Sequence, residues 1–129
     1  MAKKKSVSDG YLNKLWRQAV LTKWDYTCPY CGQTDVDVIE CHHIVKRRNV
    51  ILRWDVNNGI PGCKYSCHME YHTQAGQRWI EDQIDEETLL MLDEYERTLY
   101  KNYLQKNCLT DGEFRRIRLS ELKKVINGG

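Results

Sequence analysis

The stretch that decides the fold runs from Cys28 to His72. It reads Cys28-Pro-Tyr-Cys31-Gly32, then His42-His43, then Asn58, then Cys63-Lys-Tyr-Ser-Cys67-His68-Met-Glu-Tyr-His72. All four histidines of the 129-residue chain and five of its six cysteines lie inside it. Two short cysteine pairs brought together by a fold supply the four ligands of a tetrahedral structural zinc site. Cys28-x2-Cys31 has the usual knuckle spacing, and Gly32 suits a turn that needs an unusual backbone angle. Cys63-x3-Cys67 is one residue longer, still within the tolerated range. The histidines predict a second ion of a different kind. His68 and His72 share a face if the chain is helical from Cys63 or Cys67 onward, and so can converge on one cation. His42 and His43 point to opposite faces of a regular strand, so one can ligate while the other stays free as a base.

Moving outward, Tyr11, Leu12, Leu15, Trp16, Ala19 and Val20 recur at helical spacing behind Ser8 or Asp9 as N-cap. They predict a helix ending near Trp24. Val36, Val38, Ile39 and Ile44 frame an extended segment around the paired histidines, and Val50 to Trp54 reads as its partner strand. Asp55 to Gly59 is a loop by composition. The helix of His68 and His72 is expected to break or bend around Gly76. Beyond it, Asp85 can cap one helix carrying Leu89, Leu92, Tyr95, Leu99, Tyr103 and Leu104 as an apolar stripe, read as core. Thr110-Asp-Gly112 breaks that helix, and a short last one begins at Ser120 with Leu122, Val125 and Ile126. The fold expected is α+β, one domain over residues 9–129 behind a disordered basic tail at residues 1–8.

The net charge of +2 makes a weak overall field and does not by itself point to nucleic acid. The distribution of charge says more. Lys46, Arg47, Arg48 and Arg53 follow the paired histidines and are the candidates for holding phosphates. From Glu81 to Glu96 there are eight acids and no Lys or Arg, a segment that repels a phosphate backbone. The start Met1-Ala-Lys-Lys-Lys-Ser is polar, and no apolar run approaches a membrane span, so a cytoplasmic protein with no membrane partner is expected. In a reducing compartment paired cysteines bind metal more often than each other. Cys41 is expected as a buried or half-buried thiol beside the site and Cys108 as an ordinary helix-end residue. Cys28-Pro-Tyr-Cys31 also matches a glutaredoxin tetrapeptide, but that fold needs a βαβ start before a later cis-proline, and the only other proline, Pro61, sits in Ile-Pro-Gly between site elements. A zinc deaminase would place His-x-Glu before its cysteines, whereas His68-Met-Glu70 follows them.

Taken together, Cys-x2-Cys, His-His-Ile, Leu-Arg-Trp-Asp-x2-Asn-Gly and Cys-x3-Cys-His-x3-His resemble the HNH endonucleases of the ββα-metal, treble-clef-like superfamily. The likeness is greatest to small phage and prophage HNH proteins, including phage recombination endonucleases. It covers residues 28–72, with fifteen positions from His43 to Asn58 and ten from Asn58 to His68. The resemblance implies a ββα-metal core with a zinc knuckle, flanked by an N-terminal helix and C-terminal helices. It implies His43 as general base and His42 as the metal ligand before it. Asn58 becomes the asparagine that pins the loop, and His68 and His72 further ligands of the catalytic ion. The activity implied is hydrolysis of DNA phosphodiester bonds to 5′-phosphate ends in the cytoplasm of an infected or lysogenic bacterium. The cofactors implied are structural Zn2+ at Cys28, Cys31, Cys63 and Cys67 and one catalytic divalent ion (Mg2+, Mn2+, Ni2+, Co2+ or Zn2+).

Histidine at position 42, often aspartate in the family, leaves that ion without a carboxylate unless Glu40 or Glu70 approaches. A single HNH site cuts one strand, so double-strand cleavage would call for a homodimer or two encounters; a packaging or recombination partner is equally open. The competing reading is a non-catalytic zinc module that binds DNA or protein. Four histidines and Asn58 beside four cysteines are more than such a module requires.

Overall fold

The first helix, α1 (Asp9–Lys23), forms where the spacing places it. Ser8 Oγ caps it by accepting the Tyr11 N–H at 3.2 Å, and its apolar face buries Leu12, Trp16, Ala19 and Val20. A computed structural model of the chain describes residues 6–128. Of the basic tail expected over residues 1–8, residues 1–5 lie outside the described residues. Val7 and Ser8 belong to the fold, since Val7 O accepts from Arg115 Nη1 at 3.0 Å.

The described residues are α+β and mostly helical, with one two-stranded antiparallel sheet. Strand β1 (Ile39–His43) pairs with β2 (Gly59–Cys63), matching Glu40 with Gly62, His42 with Ile60 and His43 with Gly59. Val36–Val38 is a 3-10 turn capped by Asp35, not part of the extended segment. The partner strand is also not Val50–Trp54. Val50–Arg53 is a short helix, α2, because Asn49 Oδ1 accepts the Leu52 N–H at 3.1 Å and turns Ile51 and Leu52 into the interior. That cap and burial outweigh the strand propensity of the run. The strand lies where Gly-Ile-Pro-Gly-Cys reads poorly as one. Pro61, lacking an N–H, is tolerated because the sheet has only two strands.

After β2 come α3 (Cys67–Tyr71) and α4 (Gln74–Gln83). The break falls at His72–Thr73 rather than at Gly76, since Thr73 Oγ1 caps α4 by accepting the Gly76 N–H at 2.9 Å. Gly76 sits inside α4, where a Cβ would collide with the Glu70 carbonyl oxygen. The long helix expected from Asp85 is two helices, α5 (Glu86–Glu96) and α6 (Tyr100–Lys106), parted at Arg97–Leu99. Its stripe packs as core through Tyr95, Tyr103 and Leu92, but Leu99 is exposed. Thr110-Asp-Gly112 starts the last helix, α7 (Asp111–Ile126), instead of breaking the one before. Thr110 and Glu113 form a reciprocal capping box there.

The interior is divided by the sheet. On one side α1 and α7 enclose Leu12, Trp16, Val20, Trp54, Phe114 and Leu122. On the other, α3 and α4 bury Ile60, Tyr71 and Ile80 beside the cysteines. A third cluster, Val45, Ile51, Leu52 and Leu92, fastens α5 to α2.

Candidate metal centres and active site

The cysteine cluster is built by two turns. At the first, Gly32 (φ +82°) donates its N–H to Cys28 O at 2.8 Å, while the Cys28 N–H donates to Gln33 O at 2.8 Å. The second spans the end of β2 and the start of α3, and Ser66 precedes Cys67 without a side-chain cap. Together they bring the sulfurs of Cys28, Cys31, Cys63 and Cys67 within 4.8 Å of one another. Sulfurs at the corners of a zinc tetrahedron stand about 3.8 Å apart, given Zn–S bonds of about 2.3 Å. Cys31 and Cys63 approach to 3.1 Å, and none of the four is in a disulfide. Burial opposes ionisation of Cys28, but the amides of Cys31, Tyr30 and Cys63 aimed at its sulfur outweigh it and bring the thiol down to about 7. Burial and the neighbouring thiols push Cys63 the other way. Four converging sulfurs, none of them in a disulfide, fit a structural cation such as zinc.

The histidine cluster lies on the α3 side of the sheet. His42, His68 and His72 each bring one ring nitrogen within 4.8 Å of the others. Their ring centroids form a triangle with sides of 4.8, 5.1 and 5.2 Å. His72 is the C-cap residue of α3, so the pair is joined across the helix end, not within the helix. His42 is buried, and burial together with His68, His72 and His43 pushes it down to about 4, keeping it a neutral imidazole with a lone pair to give. The three-nitrogen set fits a borderline transition metal better than magnesium. Among the described residues no carboxylate joins the triad itself. Glu40 accepts from His68 Nδ1 at 2.6 Å, while Glu70 is exposed.

His43 goes to the opposite face. Its ring stacks on Trp16 of α1 at 3.9 Å with 5° between the planes, and its Nε2 donates to Arg53 O at 3.0 Å. That bond leaves Nδ1 with the lone pair. Burial pushes the His43 pKa below its usual value, with Arg47 and Arg53 acting the same way against the Arg53 carbonyl. Asn58 is fully buried under the loop that leaves β1. Its Oδ1 accepts the Val45 N–H at 2.6 Å, and its Nδ2 donates to Val45 O at 2.9 Å and Leu52 O at 3.1 Å.

All four histidines line one cleft of about 930 Å³, with Lys46 and Arg47 on its basic lip. Glu81, Asp93 and Glu96 line it as well. Arg48 is exposed outside this lining. Arg53 is not free for phosphate: its Nε donates to Arg47 O at 2.6 Å, it pairs with Asp9 at 3.6 Å, and its guanidinium lies over Trp54. Cys41 is half-buried, its thiol pushed up to about 12 by burial and lying 3.6 Å from Arg17 O. Cys108 is exposed just after α6, with φ +55°.

Three contributors carry no signature in the sequence. Trp16, Tyr71 and Arg118 read as ordinary amphipathic positions. Tyr71 is buried between the clusters and donates to Pro61 O at 2.7 Å, while Arg118 reaches from α7 to Ile51 O at 2.7 Å and braces α2. No family model, curated protein or solved structure matches the chain. Among the described residues no helix is long and apolar enough to cross a membrane.

Proposed function

We propose that the protein is a metal-dependent DNA endonuclease with an HNH-like ββα-metal site, in which β1, β2 and α3 carry the working residues. The observation that carries this reading is the division of the paired histidines. His42 joins His68 and His72 as a ligand set, whereas the adjacent His43, which lines the same cleft, has only one ring nitrogen engaged.

His43 takes the proton from the attacking water at Nδ1. The Arg53 carbonyl holds the other nitrogen protonated, so the basic nitrogen is defined, and Trp16 fixes the plane of the ring. With its pKa pushed below the usual value of about 6.5, the imidazole is neutral and competent at neutral pH. Asn58 holds the β1–α2 loop against Val45 and Leu52, and so places the Arg53 carbonyl next along the chain. His42, His68 and His72 would hold a divalent cation, which would supply positive charge for the phosphate oxygens. Lys46 and Arg47, which line the cleft, hold flanking phosphates.

The test is nicking of supercoiled plasmid by zinc-loaded protein across a panel of Mg2+, Mn2+, Co2+, Ni2+ and Zn2+, with His43→Ala alongside. Metal-dependent nicking that disappears in the variant is the expected result. Wild-type protein that holds zinc and cleaves nothing with any metal overturns the nuclease in favour of a zinc module that only binds.

A further inference from the structure

We propose that Glu40 is the positioning residue of the histidine-bound ion, an inference that rests on reading His42, His68 and His72 as a divalent-cation site. Glu40 is two residues before His42 on β1, so both side chains leave the same face of the strand. Opposite Glu40 in the register is Gly62. A Cβ there would lie 2.5 Å from Tyr71 Cε2 and 3.2 Å from the His68 backbone nitrogen. The bare glycine therefore lets α3 lie close against the strand pair, which brings His68 Nδ1 to 2.6 Å from Glu40 Oε2.

A carboxylate accepts and cannot donate, so the proton between the two atoms belongs to His68 Nδ1. The neutral ring then carries its lone pair on Nε2, the nitrogen left to converge with His42 and His72. The negative charge behind the ring also makes Nε2 a stronger donor to a cation. The pair is partly exposed, Glu40 by 43% and His68 by 25%, but a casual surface pair would have neither a third element holding it nor a ligand cluster on its far side. Here β1, Gly62 and α3 fix the contact, and His68 has both rings of the triad within 5.2 Å. The carboxylate that a three-histidine site lacks is thus supplied from behind one of its ligands.

The experiment titrates Ni2+ into zinc-loaded wild type, Glu40→Gln, Glu40→Ala and His68→Ala by calorimetry. Histidine ring tautomers are read by nitrogen-15 NMR before nickel is added. Zinc content by mass spectrometry reports whether each variant keeps its cysteine site. Wild-type His68 is expected with its proton on Nδ1. Glu40→Gln, which can still accept that proton but has no charge, is expected to bind Ni2+ about 10-fold more weakly, and Glu40→Ala up to about 100-fold. A His68 proton on Nε2 in the wild type, or Glu40→Ala binding Ni2+ as tightly as wild type, overturns the role of Glu40 and leaves the triad standing. Wild type that takes up no nickel overturns the triad, and with it any role for Glu40.

Discussion

Asn58→Ala tests the loop geometry on which the candidate base depends. The amide is fully buried and makes three side-chain hydrogen bonds, to the Val45 N–H, the Val45 carbonyl and the Leu52 carbonyl. Truncation leaves the Val45 N–H and the Val45 carbonyl to find other partners, while the Leu52 carbonyl keeps the Asp55 N–H at 3.1 Å. An unmet buried group costs about 1–3 kcal/mol, but a carbonyl with two lone pairs suffers less than an orphaned N–H. The Asn58 carbonyl still receives the Ile44 N–H at 3.2 Å, so strand pairing at that end survives. Summing the donor in full and the one acceptor in part, the loss is about 2–4 kcal/mol. That is a large share of the roughly 5–15 kcal/mol that hold an ordinary domain together. Urea unfolding of zinc-loaded protein, followed by tryptophan fluorescence, measures it. Asn58→Asp separates shape from chemistry, because it keeps the Val45 N–H bond and faces the Val45 and Leu52 carbonyls with a second acceptor. It should be no more stable than the alanine variant. A loss below about 1 kcal/mol in Asn58→Ala would refute the reasoning, since so buried an amide cannot then be what holds the loop.

Three further outcomes are expected. Cys28→Ser should lose its zinc by mass spectrometry and unfold locally at room temperature, whereas Cys108→Ser, an exposed thiol outside the cluster, should keep both metal and melting temperature. Gly62→Ala should weaken Ni2+ binding at the histidines and lower stability by about 1–3 kcal/mol, because its Cβ meets the His68 backbone as well as the movable Tyr71 ring. Acid should destabilise the nickel-free protein. His42 has a folded pKa near 4 against an unfolded value of about 6.5, so the unfolded chain takes up the proton first as pH falls. Stability is therefore full above about pH 6.5 and falls toward pH 4, by up to about 3 kcal/mol from this residue. His42→Asn should flatten urea midpoints between pH 7 and pH 5, and an unchanged slope would refute the burial argument.

The cysteine and histidine clusters were legible because ligand chemistry needs rare residue types at short spacings, and local turns suffice to present them. What the sequence concealed was set by distant contacts. Gly-Ile-Pro-Gly-Cys carries little strand propensity, and β2 exists because it has β1 to pair with and helices pressed on both faces. Val50–Arg53 looked like a strand by residue type, but the neighbouring Asn49 cap and the apolar pocket for Ile51 and Leu52 made it helical. The capping box of α7 was a different kind of miss. Thr110 and Glu113 stand at the right spacing, and the cap they form decides the start despite Gly112 between them. Arg53 illustrates why charge alone is a weak guide, since nothing in its surroundings along the chain announces Asp9 as its partner.

The sheet has only two strands, yet it does the work of separating ligand from base. Glu40 and His42 face α3, while His43 faces Trp16 of α1. A slip of one residue in the pairing would exchange the faces, placing His43 among the ligands and His42 against the tryptophan. Two glycines oppose that slip from opposite sides. At Gly59 a Cβ would lie 2.7 Å from Trp16 Cζ2, and at Gly62 it would meet Tyr71. Any other residue moved into either position forces a helix away. The register is thus enforced by the same close approaches that bring α1 to the base and α3 to the ligands. Substitutions that loosen β2 should accordingly damage metal binding and base placement together, even though neither glycine touches an ion or a substrate.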